Sequence, residues 1–292
     1  MIPEALEWIT GAVMAAVDRG EAIDPPALTF LLRRYLATDR VDLRVALEPA
    51  LAGALQSQVI ADTTGQRAAW LTLFAEVATV SDDARIHAAG ADLVRALREE
   101  WGRVTEVEAG AASVDACLAG CHLVDPQSIV PDAIDELERV VAGAYRPGGG
   151  LAHSLDQPGG VRGRLADHVR TSSALLAAYE LTGRLPYPML AEELMQFARQ
   201  TLWDGQAGAF RDSSEDPQAS FTTNCRAARV LTRLSALHDR SDYRAAAVLA
   251  SGADYRGDVT RILTAQNETY RQEGLRSAVY GLALAEWLAV LG

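Results

Sequence analysis

The chain has 292 residues with 27 basic and 39 acidic side chains, and because no lysine occurs every base other than histidine is an arginine. A net charge of −12 argues against a general binder of nucleic acid or of anionic membrane. The missing lysine removes Schiff-base lysine chemistry and the Lys-containing phosphate loop, and 49% hydrophobic with 23% charged residues is the composition of a folded globular chain.

A first helix is predicted over about Pro3–Asp18. The opening MIPEALEWIT is acidic and lacks the basic start of a secretory signal. No apolar run is expected to reach the roughly 18 residues of a membrane span. Three cysteines, Cys117, Cys121 and Cys225, are an odd set, so a reducing, cytoplasmic setting without disulfides is the expectation.

From there the apolar spacing is helical almost throughout, as at Leu28, Leu31, Leu32, Tyr35 and Leu36, and no segment alternates with period two. Ala and Leu, the strongest helix formers, dominate. A helix–turn–helix unit recurs, starting at Ala27, Ala69, Ala112, Ser173 and Arg226. Its turns carry stop and cap chemistry at Thr38-Asp39, Ser81-Asp82, Asp125-Pro126, Thr182-Gly183 and Asp239-Arg240-Ser241. Turns near 38, 80, 124, 182 and 237 give spacings of 42, 44, 58 and 55 residues, the mark of a helical repeat array. With a last helix over about Leu275–Leu291, roughly twelve helices form six hairpins. The predicted fold is all-α, one (α/α)6 toroid over residues 1–292, with an open solenoid as the competing arrangement. The first helix of each repeat is nearly apolar all round and the second has a polar face, as inner and outer layers would.

The surplus of the two long spacings falls in 146–163 and 204–220, both joining an outer helix to the next inner one. The rim that carries them also presents the inner helices' free N–H groups and is the expected functional face.

On this stretch the chain resembles a known set. GGGLAHSLD, GRLADHVRTSSALLAAYELTGRLPYPMLAEELMQFARQTLWDGQAGAFRD and TTNCRAARVLTRLSALHDRSDYRAAA look like successive hairpins of the six-hairpin toroid. The likeness is to the toroid portion of thioredoxin-domain-containing proteins related to N-acylglucosamine 2-epimerases. It covers about 145–250 and matches His153-Ser154, Asp167, the Leu175–Gly183 turn, Trp203-Asp204, Phe210 and Asn224. No Cys-x-x-Cys is present, and the N-terminal hairpins lack the family's Pro-His-Phe-Glu type of motif. The resemblance implies the fold and, by kinship with epimerases and six-hairpin glycosidases, carbohydrate-type chemistry.

Four residues are candidate catalytic groups. His153 and His168 flank the first long loop and titrate near neutrality, as acid and base in an epimerisation require, although each could equally be a loop or first-turn residue. Asp167 and Asp212 would suit a two-carboxylate hydrolysis, although acids also favour helix starts for capping. Asp156, Arg164, Arg211, Trp203, Phe210, Phe221 and Asn224 are candidate substrate contacts on the same rim. Arg162, Arg164, Arg170, Arg211 and Arg226 could receive a carboxylate or phosphate, or pair with Asp156, Asp167, Asp212 and Glu215. Trp70 and Trp287 read as core. Cys117, Cys121 and His122 lack a further ligand set and read as packing, so no metal and no cofactor are expected. Asp82-Asp83 reads as a helix cap, which counts against an isoprenoid-handling toroid. The expected function is action on a sugar or small polar metabolite, epimerase-like or glycosidase-like. The alternative is a non-catalytic toroid that binds without reacting. Oligomeric state is not legible.

Overall fold

The computed structural model describes residues 2–56, 62–157, 159–216, 218–247 and 252–291. Six helices form an inner ring: α2 (Pro25–Thr38), α4 (Thr64–Ala78), α6 (Val107–Ala119), α8 (Leu165–Thr182), α10 (Phe221–His238) and α13 (Ser277–Leu291). Each packs against the next, and α13 packs back on α2, so the ring closes. The outer layer is α1 (Ile2–Asp18), α3 (Val41–Gln56), α5 (Ala84–Glu100), α7 (Pro126–Ala144), α9 (Pro186–Leu202) and α12 (Tyr255–Gln266). The chain's first helix is the outer partner of its last, which completes the sixth hairpin.

The short turns behave as their residues dictate. Asp39 ends α2 in the left-handed region at φ 52°, and Gly183 ends α8 at φ 68°. Asp83 and Asp125 cap α5 and α7, accepting the backbone N–H of Arg85 and Gln127. The ring's closure depends on a missing side chain. A Cβ on Gly281 of α13 would run into the Phe30 ring of α2, so the first and last inner helices meet at glycine.

Three expectations are corrected. Among the described residues there are thirteen α-helices, because the predicted second helix of the fifth repeat is only the short α11 (Ser241–Ala246). The outer partner of α10 is instead α12, capped by Asp254. Two minute ladders occur where none was foreseen: β1 (Tyr145–Arg146) with β2 (Gly150–Leu151), and β3 (Trp203–Asp204) with β4 (Ala209–Phe210). Each opens one of the long loops. Finally, Tyr270–Leu291 is long and apolar enough, by length and composition, to cross a membrane. In the fold it supplies the sixth inner helix, and Val279, Tyr280, Leu282, Leu284 and Trp287 are buried. Burial on several sides demands the same composition as lipid does.

Candidate active site at the mouth of the ring

The inner helices start on the rim of the long loops and end on the rim of the short turns. The 145–164 loop is laced down by its backbone. His153 N–H donates to the Val161 carbonyl, Gly163 N–H to Leu151, and Leu155 N–H to Thr105 ahead of α6. This brings two predicted residues together. His153 Nδ1 lies 3.1 Å from the fully buried Asp167 carboxylate in the first turn of α8. Its Nε2 lies 3.1 Å from the exposed Arg164 guanidinium and 3.6 Å from Glu106. With the proton on Nδ1 donated to Asp167, Nε2 is the acceptor that faces outward. Burial raises the Asp167 carboxyl to about 7, against the opposing pull of His153.

His168 sits elsewhere. It is fully buried, stacked on Phe197 with ring centroids 5.1 Å apart. Nδ1–H donates to the Arg164 carbonyl at 2.7 Å, and Nε2 accepts the Leu151 N–H at 3.2 Å. Both nitrogens are committed, and burial pushes the imidazole down to about 4. The loop passes His168 at Gly150, where φ is +61° and a Cβ would come within 2.6 Å of both Phe197 and His168 Nε2.

The second long loop repeats the device with an amide. Asn224 is the fourth residue of α10, as His168 is of α8. Its Oδ1 accepts the Phe210 N–H at 2.8 Å and its Nδ2 donates to the Phe210 carbonyl at 2.9 Å. Asp212 accepts the Ser220 N–H at 3.1 Å, and its carbonyl accepts the Leu165 N–H, tying the two loops together. Phe210 and Phe221 are buried, Phe221 tilted against Tyr280. Trp203 packs edge-on to Phe210 and under Arg199, whose guanidinium is 4.3 Å from its ring centre. Asp156 is exposed and takes the Ser154 hydroxyl. Arg211 is half-buried, its backbone N–H on the Leu202 carbonyl. None of these seven side chains lines the axial cavity or the groove beside it.

A groove of about 590 Å³ runs along the start of α6, lined by Glu100, Arg103, Glu106, Glu108 and Arg170 among others. On the axis the ring is narrow at the long-loop end, about 90 Å³, and opens to about 770 Å³ toward the short turns. The larger chamber therefore lies at the rim opposite the expected one. Its polar lining was not foreseen. Arg33, Thr72, Asp115, Ser173 and Arg229 each stand ninth in their helix, and Glu286 tenth in α13. Arg33 holds Glu76 by two contacts of 2.5 and 2.9 Å and also reaches Glu286, which takes Arg229 at 2.6 and 2.8 Å. Burial works against a charged Glu286, yet Arg229 and Arg33 keep its carboxyl down at about 2. The signal was present in the sequence. Glu286 is the only charge of α13, and Glu76 follows an apolar run in α4 whose other charge, Arg67, lies in the first turn; a lone charge in a helix buried all round must face a partner or a cavity. Among the described residues no cluster of metal-ligating side chains occurs.

No family model matches the chain, and no curated protein matches it. Solved structures do. A possible member of the GH105 family from Klebsiella pneumoniae subsp. pneumoniae MGH 78578 is 11% identical, covering 98% of this chain and 93% of its own, with a TM-score of 0.75. A D-mannose isomerase is 11% identical over 77% of this chain and 72% of its own, TM-score 0.59. An inactive variant of the GH76A α-1,6-mannanase of Salegentibacter sp. HEL1_6, in complex with α-1,6-mannotriose, is 14% identical over 77% of this chain and 88% of its own, TM-score 0.53. The chain has the (α/α)6 toroid fold. At such identities the likeness speaks for that fold alone.

Proposed function

We propose that this protein is a cytoplasmic enzyme that binds a sugar or similar small polar metabolite at the long-loop mouth of the toroid and moves a proton on it through His153. The observation that carries this reading is the His153–Asp167 contact of 3.1 Å. A buried carboxylate fixes the imidazole's tautomer and supports its charge when Nε2 takes a proton. Arg164, exposed and resting on Nε2, gives way to the ligand. The D-mannose isomerase and the mannanase among the neighbours, and the resemblance to epimerase-related toroids, support a carbohydrate-like ligand. Proton transfer of the isomerase or epimerase type is favoured over glycoside hydrolysis, because Asp212, the second candidate carboxylate, is engaged by the Ser220 N–H.

The reading is tested by incubating the protein with monosaccharides, amino sugars and sugar phosphates in D2O and following deuterium incorporation by NMR. A substrate should exchange with the unaltered chain, and His153→Gln should slow exchange by at least a hundredfold while binding changes only a few-fold. Full exchange activity in both His153→Gln and Asp167→Asn would overturn it. A second reading, a toroid that binds without reacting, rests on the locked state of the chamber acids Glu76 and Glu286. It predicts ligand-induced thermal stabilisation with no exchange into any ligand that binds.

A further inference from the structure

Arg170 and Arg226 occupy equivalent places, each sixth in its inner helix. Both line the narrow end of the axis and the wide chamber below, and Arg170 lines the rim groove as well. Their nearest carboxylate is shared: Glu108 Oε1 lies 3.9 Å from Arg170 Nε and 3.9 Å from an Arg226 terminal nitrogen. That is an ion-pair distance and too long for a hydrogen bond. Among the described residues neither guanidinium makes a hydrogen bond, and Arg170 Nε is shielded from water with no partner.

The other arginines of the chamber are engaged. Arg33 and Arg229 are held by Glu76 and Glu286, and Arg233 by Ser173 and Glu180. The remaining acid on this wall, Asp115, takes the Ser173 hydroxyl at 2.8 Å. Two forked, planar donors thus have no carboxylate at hydrogen-bond distance, with Glu108 at 3.9 Å and Asp115 and Asp24 acting only from a distance, which leaves a set of free N–H groups at the junction of groove and chamber. Guanidinium pairs match the oxygens of carboxylate and phosphate groups, and desolvated donors gain most from such a partner.

We propose that Arg170 and Arg226 receive an anionic group, carboxylate or phosphate, carried by the ring's ligand. This deepens the proposed function by giving its metabolite a charge, and it rests on that reading only for the rest of the ligand. The test is calorimetric titration of the full chain with inorganic phosphate, acetate, glucose 6-phosphate, glucuronate and glucose. Saturable binding of phosphate or acetate is expected. The matching anionic sugar should bind at least tenfold more tightly than glucose, and the preferred sugar separates phosphate from carboxylate. Arg226→Gln and Arg170→Gln should weaken anion binding tenfold or more, and the distant Arg240→Gln should leave it unchanged. Glu108→Gln, which removes the competing carboxylate, should tighten it several-fold and serves if either arginine variant fails to fold. Absence of saturable anion binding, or anion binding that none of these three variants alters, overturns the proposal. If simple anions bind through the pair and no sugar does, the anion site stands and the sugar reading falls. If glucose binds as well as its anionic counterparts and the arginine variants leave it unaffected, the anion site falls and the sugar reading stands.

Discussion

The two long loops start alike and end differently. Each leaves its outer helix through a two-stranded ladder, and each is pinned by the fourth residue of the following inner helix, His168 in one and Asn224 in the other. In both, a buried polar side chain takes the N–H of the last strand residue, Leu151 or Phe210. Only the first loop then presents a titratable pair, His153 on Asp167. The difference separates two roles for histidine within 15 positions: an imidazole with both nitrogens spent inside is a structural pin, equivalent to an amide. One held by a buried carboxylate on one nitrogen, with only the exposed Arg164 and Glu106 near the other, has chemistry to offer.

Breaking the first pin should have the largest effect. Gly150→Ala combines a left-handed backbone with a collision against Phe197 and His168, and should cost about 3 kcal/mol or more in urea unfolding. Gly148→Ala, at φ +68° with nothing within 4 Å of its Cβ, should cost only about 1 kcal/mol. Equal losses would show that the close passage over His168 is not what demands glycine.

The pH dependence sharpens the same contrast. His168 has its folded value lowered from the ordinary 6.5 to about 4, so its neutral form is the one the fold holds. Its contribution is complete above pH 6.5 and is lost as pH falls through about 4, at most about 3 kcal/mol. His168→Asn should flatten the stability profile between pH 6.5 and 4, and an unchanged slope would remove His168 from this role. The pin of the second loop does not titrate. Asn224→Ala should cost about 2 kcal/mol at every pH, because it strands both the N–H and the carbonyl of buried Phe210. A pH-dependent loss there would undo the equivalence.

Asp167→Asn should cost the least stability. Burial raises the Asp167 carboxyl to about 7, so the fold favours its neutral form and loses stability as pH rises through 7. A neutral amide should therefore be no less stable than the parent at pH 8, and any gain should fade on acidification. A loss of several kcal/mol at pH 8 would make Asp167 a pin like the other two.

Much of this was legible in the sequence, for identifiable reasons. The ring follows from short turns whose residues have few alternatives, such as Gly183 at φ 68° and the Asp125 cap before Pro126. The loops at 146–163 and 204–220 announce themselves as surplus length between regular helices. Helix α12 was hidden because YRGDVTRILTAQ is polar on average, although Tyr255, Val259, Ile262 and Leu263 have helical spacing and are buried. The axis was hidden because its charges belong to six different helices, and only closure of the ring brings Arg33 of the second helix to Glu286 of the last. Phe210 and Asn224 read in sequence as ligand contacts, and the structure places them in mutual hydrogen bonds inside the loop base, a partnership that a spacing of 14 residues does not reveal.

The difference between the two histidines is open to direct measurement by 1H–15N correlation of their side chains from pH 8 down to 4. His168 should remain in one neutral form with the proton on Nδ1 until the most acid points, insensitive to Asp167→Asn. The neutral form of His153 should carry its proton on Nδ1 in the parent and lose that preference in Asp167→Asn. A His168 that titrates near the ordinary 6.5, or a His153 whose tautomer ignores Asp167, would contradict the assignment of pin and proton carrier.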